Sequence, residues 1–387
     1  MAAITAADSS TGIRSIAADD IDKTFSGSIG ACSRYESLED KASNPPWSAV
    51  DLISKPLGSR ILALSDEWFA AAENLTTPTP PVRKPGVFTH AGAWYDGWET
   101  RRHNTEPADW VIIRLGVASG KVGGVEIDTA FFNGNHAPEV GVDGCFNDDD
   151  DAAVLDKAFD KWETILPKQE CGPSARHAWQ FPLTPKPYTH VRLLMYPDGG
   201  IARFRLYGHV LPILPPLSAT GPEGIFDLAA TVNGGVAVSC SDQHFGRREN
   251  LLLPGRGVDM GDGWETARSR GKGHMDWVIV RLGAAGEISK IVVDTAHFRG
   301  NFPQTVRVEA IDRPAQDEKS RIPSADEAGW TTIIPSLKCG PDKEHEVDAS
   351  ALENVKGTSY THVKLVIIPD GGVKRFRVFG RRSPARA

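Results

Sequence analysis

Apolar residues along the chain fall in short runs, several alternating with polar positions, and most runs are closed by Gly or by a Pro-Asp-Gly turn. β-branched, partly alternating segments bounded in this way predict strands. They cover Trp110–Leu115, Val122–Ile127, Val191–Tyr196 and Phe204–Tyr207, and further on Trp277–Leu282, Ile288–Val293 and Val363–Ile368. Helical spacing is confined to Ala152–Ile165 and Asp66–Leu75, which are expected as short helices. The pattern predicts an all-β fold whose antiparallel strands and long connections close into jelly-roll β-sandwiches.

The same pattern occurs twice. Val50-Asp51-Leu52 returns as Phe226-Asp227-Leu228, and Ser65-Asp66 with Phe69 and Asn74-Leu75 returns as Ser241-Asp242 with Phe245 and Asn250-Leu251. Asp96-Gly97-Trp98-Glu99-Thr100 is answered by Asp262-Gly263-Trp264-Glu265-Thr266, and Asp128-Thr129-Ala130 with Phe132 and Asn135 by Asp294-Thr295-Ala296 with Phe298 and Asn301. Cys171-Gly172-Pro173, Tyr188-Thr189-His190-Val191, Pro197-Asp198-Gly199-Gly200 and Arg203-Phe204-Arg205 recur as Cys339-Gly340-Pro341, Tyr360-Thr361-His362-Val363, Pro369-Asp370-Gly371-Gly372 and Arg375-Phe376-Arg377. So many ordered matches mean a duplicated domain with small loop insertions. The expected organisation is an N-terminal extension over 1–45, a first repeat over 46–212, a Pro-rich linker over 213–223 and a second repeat over 224–387.

Composition narrows the function classes. The 38 Gly and 27 Pro among 387 residues fit many short elements joined by turns. A net charge of -7 gives the molecule no overall basic surface, so nucleic acid is not an expected partner. A small anionic substrate remains compatible, because a few arginines facing one cleft set the local field. Five widely spaced cysteines do not form a disulfide framework, which suits a reducing compartment. The first forty residues lack an apolar run, and the C-terminus Pro384-Ala385-Arg386-Ala387 lacks a terminal Leu of Ser-Lys-Leu type. A cytoplasmic protein with no membrane partner is therefore expected, and a homo-oligomer is compatible with these features.

Three motifs, Asp-Gly-Trp-Glu-Thr, Asp-Trp-Val-Ile-(Ile/Val)-Arg-Leu-Gly and Asp-Thr-Ala-(Phe/His)-Phe-X-Gly-Asn, join Ser65-Asp66-Glu67-Trp68-Phe69 and Tyr-Thr-His-Val in a pattern that resembles the allantoicase family, over roughly Val50 to Arg381. The resemblance implies jelly rolls similar to galactose-binding-type modules, and hydrolysis of allantoate to ureidoglycolate and urea. Allantoate carries a carboxylate and two ureido groups on one carbon. Replacing one ureido nitrogen by hydroxyl needs no acyl-enzyme, so a nucleophilic triad is not expected. It needs an anchor for the carboxylate, a proton for the departing urea, and a water delivered to the carbon.

Arg102 and Arg268, three residues beyond Glu99 and Glu265, suit a carboxylate anchor beside an acid/base residue; an intradomain salt bridge would place the same residue types there. Asp128 and Asp294 stand at strand ends, as either cleft-facing carboxylates or turn caps. The copies differ at Arg101 against Ala267, Phe131 against His297 and Asn133 against Arg299. His297 can move protons near neutral pH and Phe131 cannot. The candidate catalytic residues are thus Glu99, Asp128, Glu265, Asp294 and His297, with Arg102, Arg268, Asn135 and Asn301 as substrate-binding residues. His190 and His362, the tryptophans and the two Cys-Gly-Pro cysteines fit structural roles better. No close His or Cys pair has zinc-like spacing, Cys32 and Cys145 stand alone, and the run Asn147 to Asp151 reads as a solvated acidic loop. The sequence therefore requires no cofactor and assigns no metal ligand, while leaving a divalent metal open. The rival readings are a non-catalytic ligand- or carbohydrate-binding jelly roll and another ureide-cleaving enzyme.

Overall fold

The computed structural model describes residues 12–25, 49–103, 105–148, 150–219, 221–313 and 322–384. Most of the expected extension, with Cys32, lies outside the described residues, as do Asp149 and the last three residues. The chain divides into two compact units, one holding residues 12–25 and 49–212 and the other residues 213–384.

Among its described residues the first unit has two five-stranded sheets. One is ordered Arg14–Ile16, Arg176–Gln180, Ser119–Asp128, Arg203–Leu211, Val50–Asp51, and the other Glu163–Glu170, Glu139–Cys145, His190–Tyr196, Asp109–Arg114, Arg60–Leu64. Neighbouring strands run antiparallel. Alternate residues such as Val125 and Ile127, Phe204 and Leu206, Val111 and Ile113, and Leu193 and Met195 are fully buried, the period-two signature of strands with one face in a core. The second unit repeats the core of this plan. Where the first has separate strands Asp109–Arg114 and Ser119–Asp128, the second has one continuous strand, Asp276–Asp294. Its first half pairs with Val236–Cys240 and Tyr360–Ile368, and its second half with Glu344–Asp348 and Arg375–Arg382. The predicted β-sandwich fold and all seven predicted strands are present.

The two expected helices are not. Only Asp151–Leu155 is helical within the first, and Glu163–Glu170 is a strand against Glu139–Cys145. Pro167 cannot extend a helix and favours an extended Leu166 before it. In the second, a 3-10 turn covers Ala72–Thr76, while the Asp66 carbonyl accepts the Trp98 indole N–H at 2.7 Å and its carboxylate accepts the Arg101 N–H at 2.7 Å. Those bonds hold Asp66 as a loop anchor in place of a helical turn.

Residues preceding the first repeat take part in its sandwich. Arg14–Ile16 adds an edge strand, Asp22 pairs with Arg176 at 2.9 Å, and Phe25 stacks on Tyr207 at a centroid distance of 4.3 Å. A Cβ at Gly124 would stand 2.1 Å from the Phe25 ring, so this docking needs glycine beneath it.

One segment organises the chemistry-bearing end of each unit. After Asp198 the backbone passes Gly199 at φ +147°, a conformation open to glycine, and Gly200 lies under the Phe132 ring, 2.2 Å from where a Cβ would sit. Gly371 at φ +129° and Gly372, 2.0 Å under Phe298, repeat this. Arg203 then turns back, almost fully buried, to bind Asp96 Oδ2 at 2.7 Å, the Asp96 carbonyl at 3.0 Å and the Thr79 carbonyl at 2.9 Å. Arg375 binds Asp262 Oδ2 at 3.0 Å, the Asp262 carbonyl at 2.6 Å and the Gly255 carbonyl at 3.2 Å.

Removing one partner of a buried, hydrogen-bonded ion pair costs about 3–5 kcal/mol. Arg203→Met is expected to destabilise the first unit by about that much and Arg375→Met the second, read as a lowered midpoint in urea denaturation.

A carboxyl, an amide and a guanidinium at the end of each unit

In the first unit, residues 198–203 touch Glu99, Arg102 and Asp128, and Asn135 joins them through Glu99. Glu99 sits on the two-residue strand Trp98–Glu99, paired with Gly200–Ile201, and its Oε1 accepts a 2.6 Å hydrogen bond from Asn135 Nδ2. Burial pushes the Glu99 carboxyl above its usual range, against the opposing effects of the Asn135 bond and the Arg102 charge. Arg102 donates through Nη1 to Asp198 Oδ1 at 2.9 Å and through Nη2 to the Gly134 carbonyl at 3.3 Å. His136, next to Asn135, bridges to Gly200. The Ala202 N–H donates to the Asp128 carbonyl at 2.7 Å, and Arg203 lies opposite Asp128 in the sheet. Asp128 Oδ1 accepts the Ala130 N–H at 2.8 Å, a turn-capping bond; burial raises this carboxyl as well, aided by nearby Glu126 and opposed by that N–H, Arg176 and Arg203.

The second unit keeps part of this. Asn301 Nδ2 donates to Glu265 Oε1 at 2.5 Å, and Glu265 pairs with Gly372. Asp370 Oδ2 accepts the Ser269 N–H at 2.7 Å, as Asp198 accepts that of His103 at 2.9 Å. Arg268 differs from Arg102: it is exposed, and among the described residues it makes no ion pair. Asp294 is forked by Arg256, with Nε to Oδ2 at 2.8 Å and Nη2 to Oδ1 at 2.9 Å, and Oδ1 also accepts the Ala296 N–H at 2.9 Å.

His297 is held away from these contacts by its backbone. It takes φ +68°, as Phe131 takes φ +71°, and its N–H donates to Asp342 Oδ1 at 2.8 Å, as that of Phe131 donates to Ser174 Oγ at 3.2 Å. The two side chains thus exchange on one turn geometry, and among the described residues the His297 ring makes no hydrogen bond to Glu265, Arg268 or Asp294. Arg101 is directed to Asp66, 3.0 Å away, and over the Trp68 ring, so its replacement by Ala267 removes a loop tie. His190 contacts Thr189 Oγ1 and Asp151 Oδ1 at 2.9 and 3.0 Å, at the opposite end of the strand that leads into Pro197, about 20 Å from the cluster. Burial raises the Cys171 and Cys339 thiols to about 12 and about 11, so they stay protonated and are poor nucleophiles. Among the described residues no group of three or more His, Cys, Asp or Glu is placed to hold a metal ion.

Reasoning from sequence missed Asp198, Asp370, Arg256, Lys374 and His136. The repeated Pro-Asp-Gly-Gly turn was the available signal for the two aspartates. Nothing local marks Lys374, or Arg256, which reaches the cluster from a distant segment.

The family described as Allantoicase repeat matches residues 50–211 and 226–383. The chain is 58% identical over 370 residues to the allantoicase of Neurospora crassa, covering 95% of this chain and 96% of that protein. It is 56% identical over 337 residues to a probable allantoicase of Schizosaccharomyces pombe, covering 87% and 94%. The crystal structure of allantoicase from Saccharomyces cerevisiae superposes with a TM-score of 0.76 at 45% identity, covering 95% of this chain and 99% of that one.

Replacing Arg256 by Ala leaves the Asp294 carboxylate buried with one backbone donor. Arg256 is half exposed, which reduces the penalty to about 1–3 kcal/mol. A correspondingly earlier thermal transition of the second unit, with the first unchanged, is the expected result by differential scanning calorimetry.

Proposed function

Because the chain belongs to the allantoicase family, we infer that it hydrolyses allantoate to ureidoglycolate and urea, a step of allantoin breakdown in purine catabolism. The observation that carries a site for this reaction is the Glu99 carboxyl, buried, bonded to Asn135 and lying within the field of Arg102. A carboxyl raised in this way keeps more of its acid form toward neutral pH, as a proton donor to a departing nitrogen requires.

The mechanism follows from the substrate. A guanidinium forks the allantoate carboxylate. Arg102 offers one beside Glu99, with Asp198 holding its position; Arg268 offers an open one in the second unit. Glu99 gives its proton to one ureido nitrogen, and the C–N bond breaks with its electron pair on that nitrogen, releasing urea. The lone pair of the remaining ureido nitrogen stabilises the electron-poor carbon until water adds. No covalent bond to the protein is needed, in keeping with protonated, buried thiols.

Purified protein is expected to release urea and ureidoglycolate from allantoate in equal amounts. Glu99→Gln should lower kcat by about 10²–10⁴, the usual worth of a general acid, with little change in KM. The acid form of Glu99 is the active one, so wild-type kcat should fall as pH rises through the Glu99 pKa, an alkaline limb absent from Glu99→Gln. Arg102→Lys should raise KM about tenfold, because an ammonium cannot reproduce the two-pronged bond. Unchanged constants in both variants would remove this cluster from the reaction.

A further inference from the structure

We propose that Asp128 of the first unit takes the proton from the attacking water, and that the second unit, whose matching Asp294 is forked by Arg256, does not complete turnover; this rests on the allantoate reading above. The two aspartates stand at the same strand end, each with its carbonyl accepting an N–H at 2.7 Å, from Ala202 in one unit and Lys374 in the other. Their carboxylates meet different surroundings. Both Asp294 oxygens are occupied by the guanidinium, and the residue is 1% exposed. Among the described residues Asp128 has no ion pair, only the Ala130 N–H on Oδ1, and it is 7% exposed.

The difference comes from substitutions at matched places. The carbonyls of Thr79 and Gly255 accept the Nε–H of Arg203 and Arg375, which places Pro80 where the second unit has Arg256. Ala202 stands where the second unit has Lys374, a buried side chain tied to the Asp262 carboxylate and the Asp259 carbonyl. His136 stands where Phe302 packs on the second unit's core, and among the described residues its buried Nδ1 has no hydrogen-bond partner. The second unit has thus placed a guanidinium on its aspartate and a lysine on the neighbouring Asp262 carboxylate. A carboxylate whose lone pairs are held by a guanidinium is a weak base, whereas one desolvated without a counter-ion is a strong one.

Glu99 and Asp128 flank the same segment, one paired with Gly200 and the other opposite Arg203, so they serve the two proton transfers. Glu99 loses its proton to the leaving nitrogen as the C–N bond breaks. The water oxygen bonds to the carbon, and its proton passes to the Asp128 carboxylate. Exchange with solvent then restores both groups.

The test uses the full-length protein with allantoate at 25 °C. Asp128→Asn is expected to lower kcat at least a hundredfold with KM within about threefold, and the double variant Pro80→Arg/Ala202→Lys, which imports the second unit's cations, to do the same. Arg256→Ala and Lys374→Ala should keep kcat within about twofold. In wild type, kcat/KM should fall as pH drops through the raised Asp128 pKa, a limb shaped by Glu126, Arg176, Arg203 and His177, which face this carboxyl. Retention of kcat within fivefold in Asp128→Asn, or a hundredfold loss in Arg256→Ala or Lys374→Ala, overturns the proposal while leaving the allantoate reading intact. Should Asp128→Asn not fold, the Arg256 and Lys374 variants and the wild-type pH limb decide. Wild-type protein that releases no urea from allantoate overturns the reading itself.

Discussion

A buried guanidinium fastens each unit together at the end that bears its candidate residues. Arg203 and Arg375 reach from their strands to bind the aspartate that opens the Asp-Gly-Trp-Glu-Thr motif, together with the carbonyls of a distant loop. An arginine removed from water needs nearly all its donors satisfied, so loop, motif and strand must arrive together. Once they do, the short strand bearing Glu99 or Glu265 is aligned against the turn, and the long strand bearing Asp128 or Asp294 ends beside it.

The motif divides accordingly between support and chemistry. Asp96 receives Arg203. Gly97 lets the Ile201 carbonyl and the Phe132 ring approach to 2.6 and 2.8 Å of where a Cβ would stand. Trp98 is fully buried, with its indole N–H on the Asp66 carbonyl, and Thr100 Oγ1 accepts the Gly199 N–H at 3.2 Å. Glu99 alone among the five directs its functional group to other candidate residues. Duplication preserved the four supports in both units and allowed the neighbourhood of the strand-end aspartate to diverge. Pro80, Ala202 and His136 in one unit correspond to Arg256, Lys374 and Phe302 in the other, on one backbone plan.

Much of this was legible in residue order. The duplication, the strands and the candidate carboxylates and arginines follow from local spacing and from motifs that recur in order, because strand periodicity and turn chemistry are encoded within a few residues. The failures have local causes too: the spacing predicts a helix across Ala152–Ile165, but only Asp151–Leu155 is helical, and the last three residues belong to a strand that contains Pro167 and pairs with Glu139–Cys145. His297 and Phe131 occupy one left-handed turn whose N–H is held by the following loop, so the exchange of ring chemistry leaves the backbone unchanged.

By itself the sequence determined two copies of one β-sandwich and the residue types that a reaction at an allantoate-like carbon requires. Only the tertiary structure decided which of those groups are engaged. Arg102 reaches Asp198 while Arg268 stays open, and Asp294 is forked by a residue 38 positions before it while Asp128 is not. The physical reason is that the ionisation and availability of a carboxylate depend on desolvation and on donors within about 3 Å, and long connections bring those donors from parts of the chain that no local pattern relates.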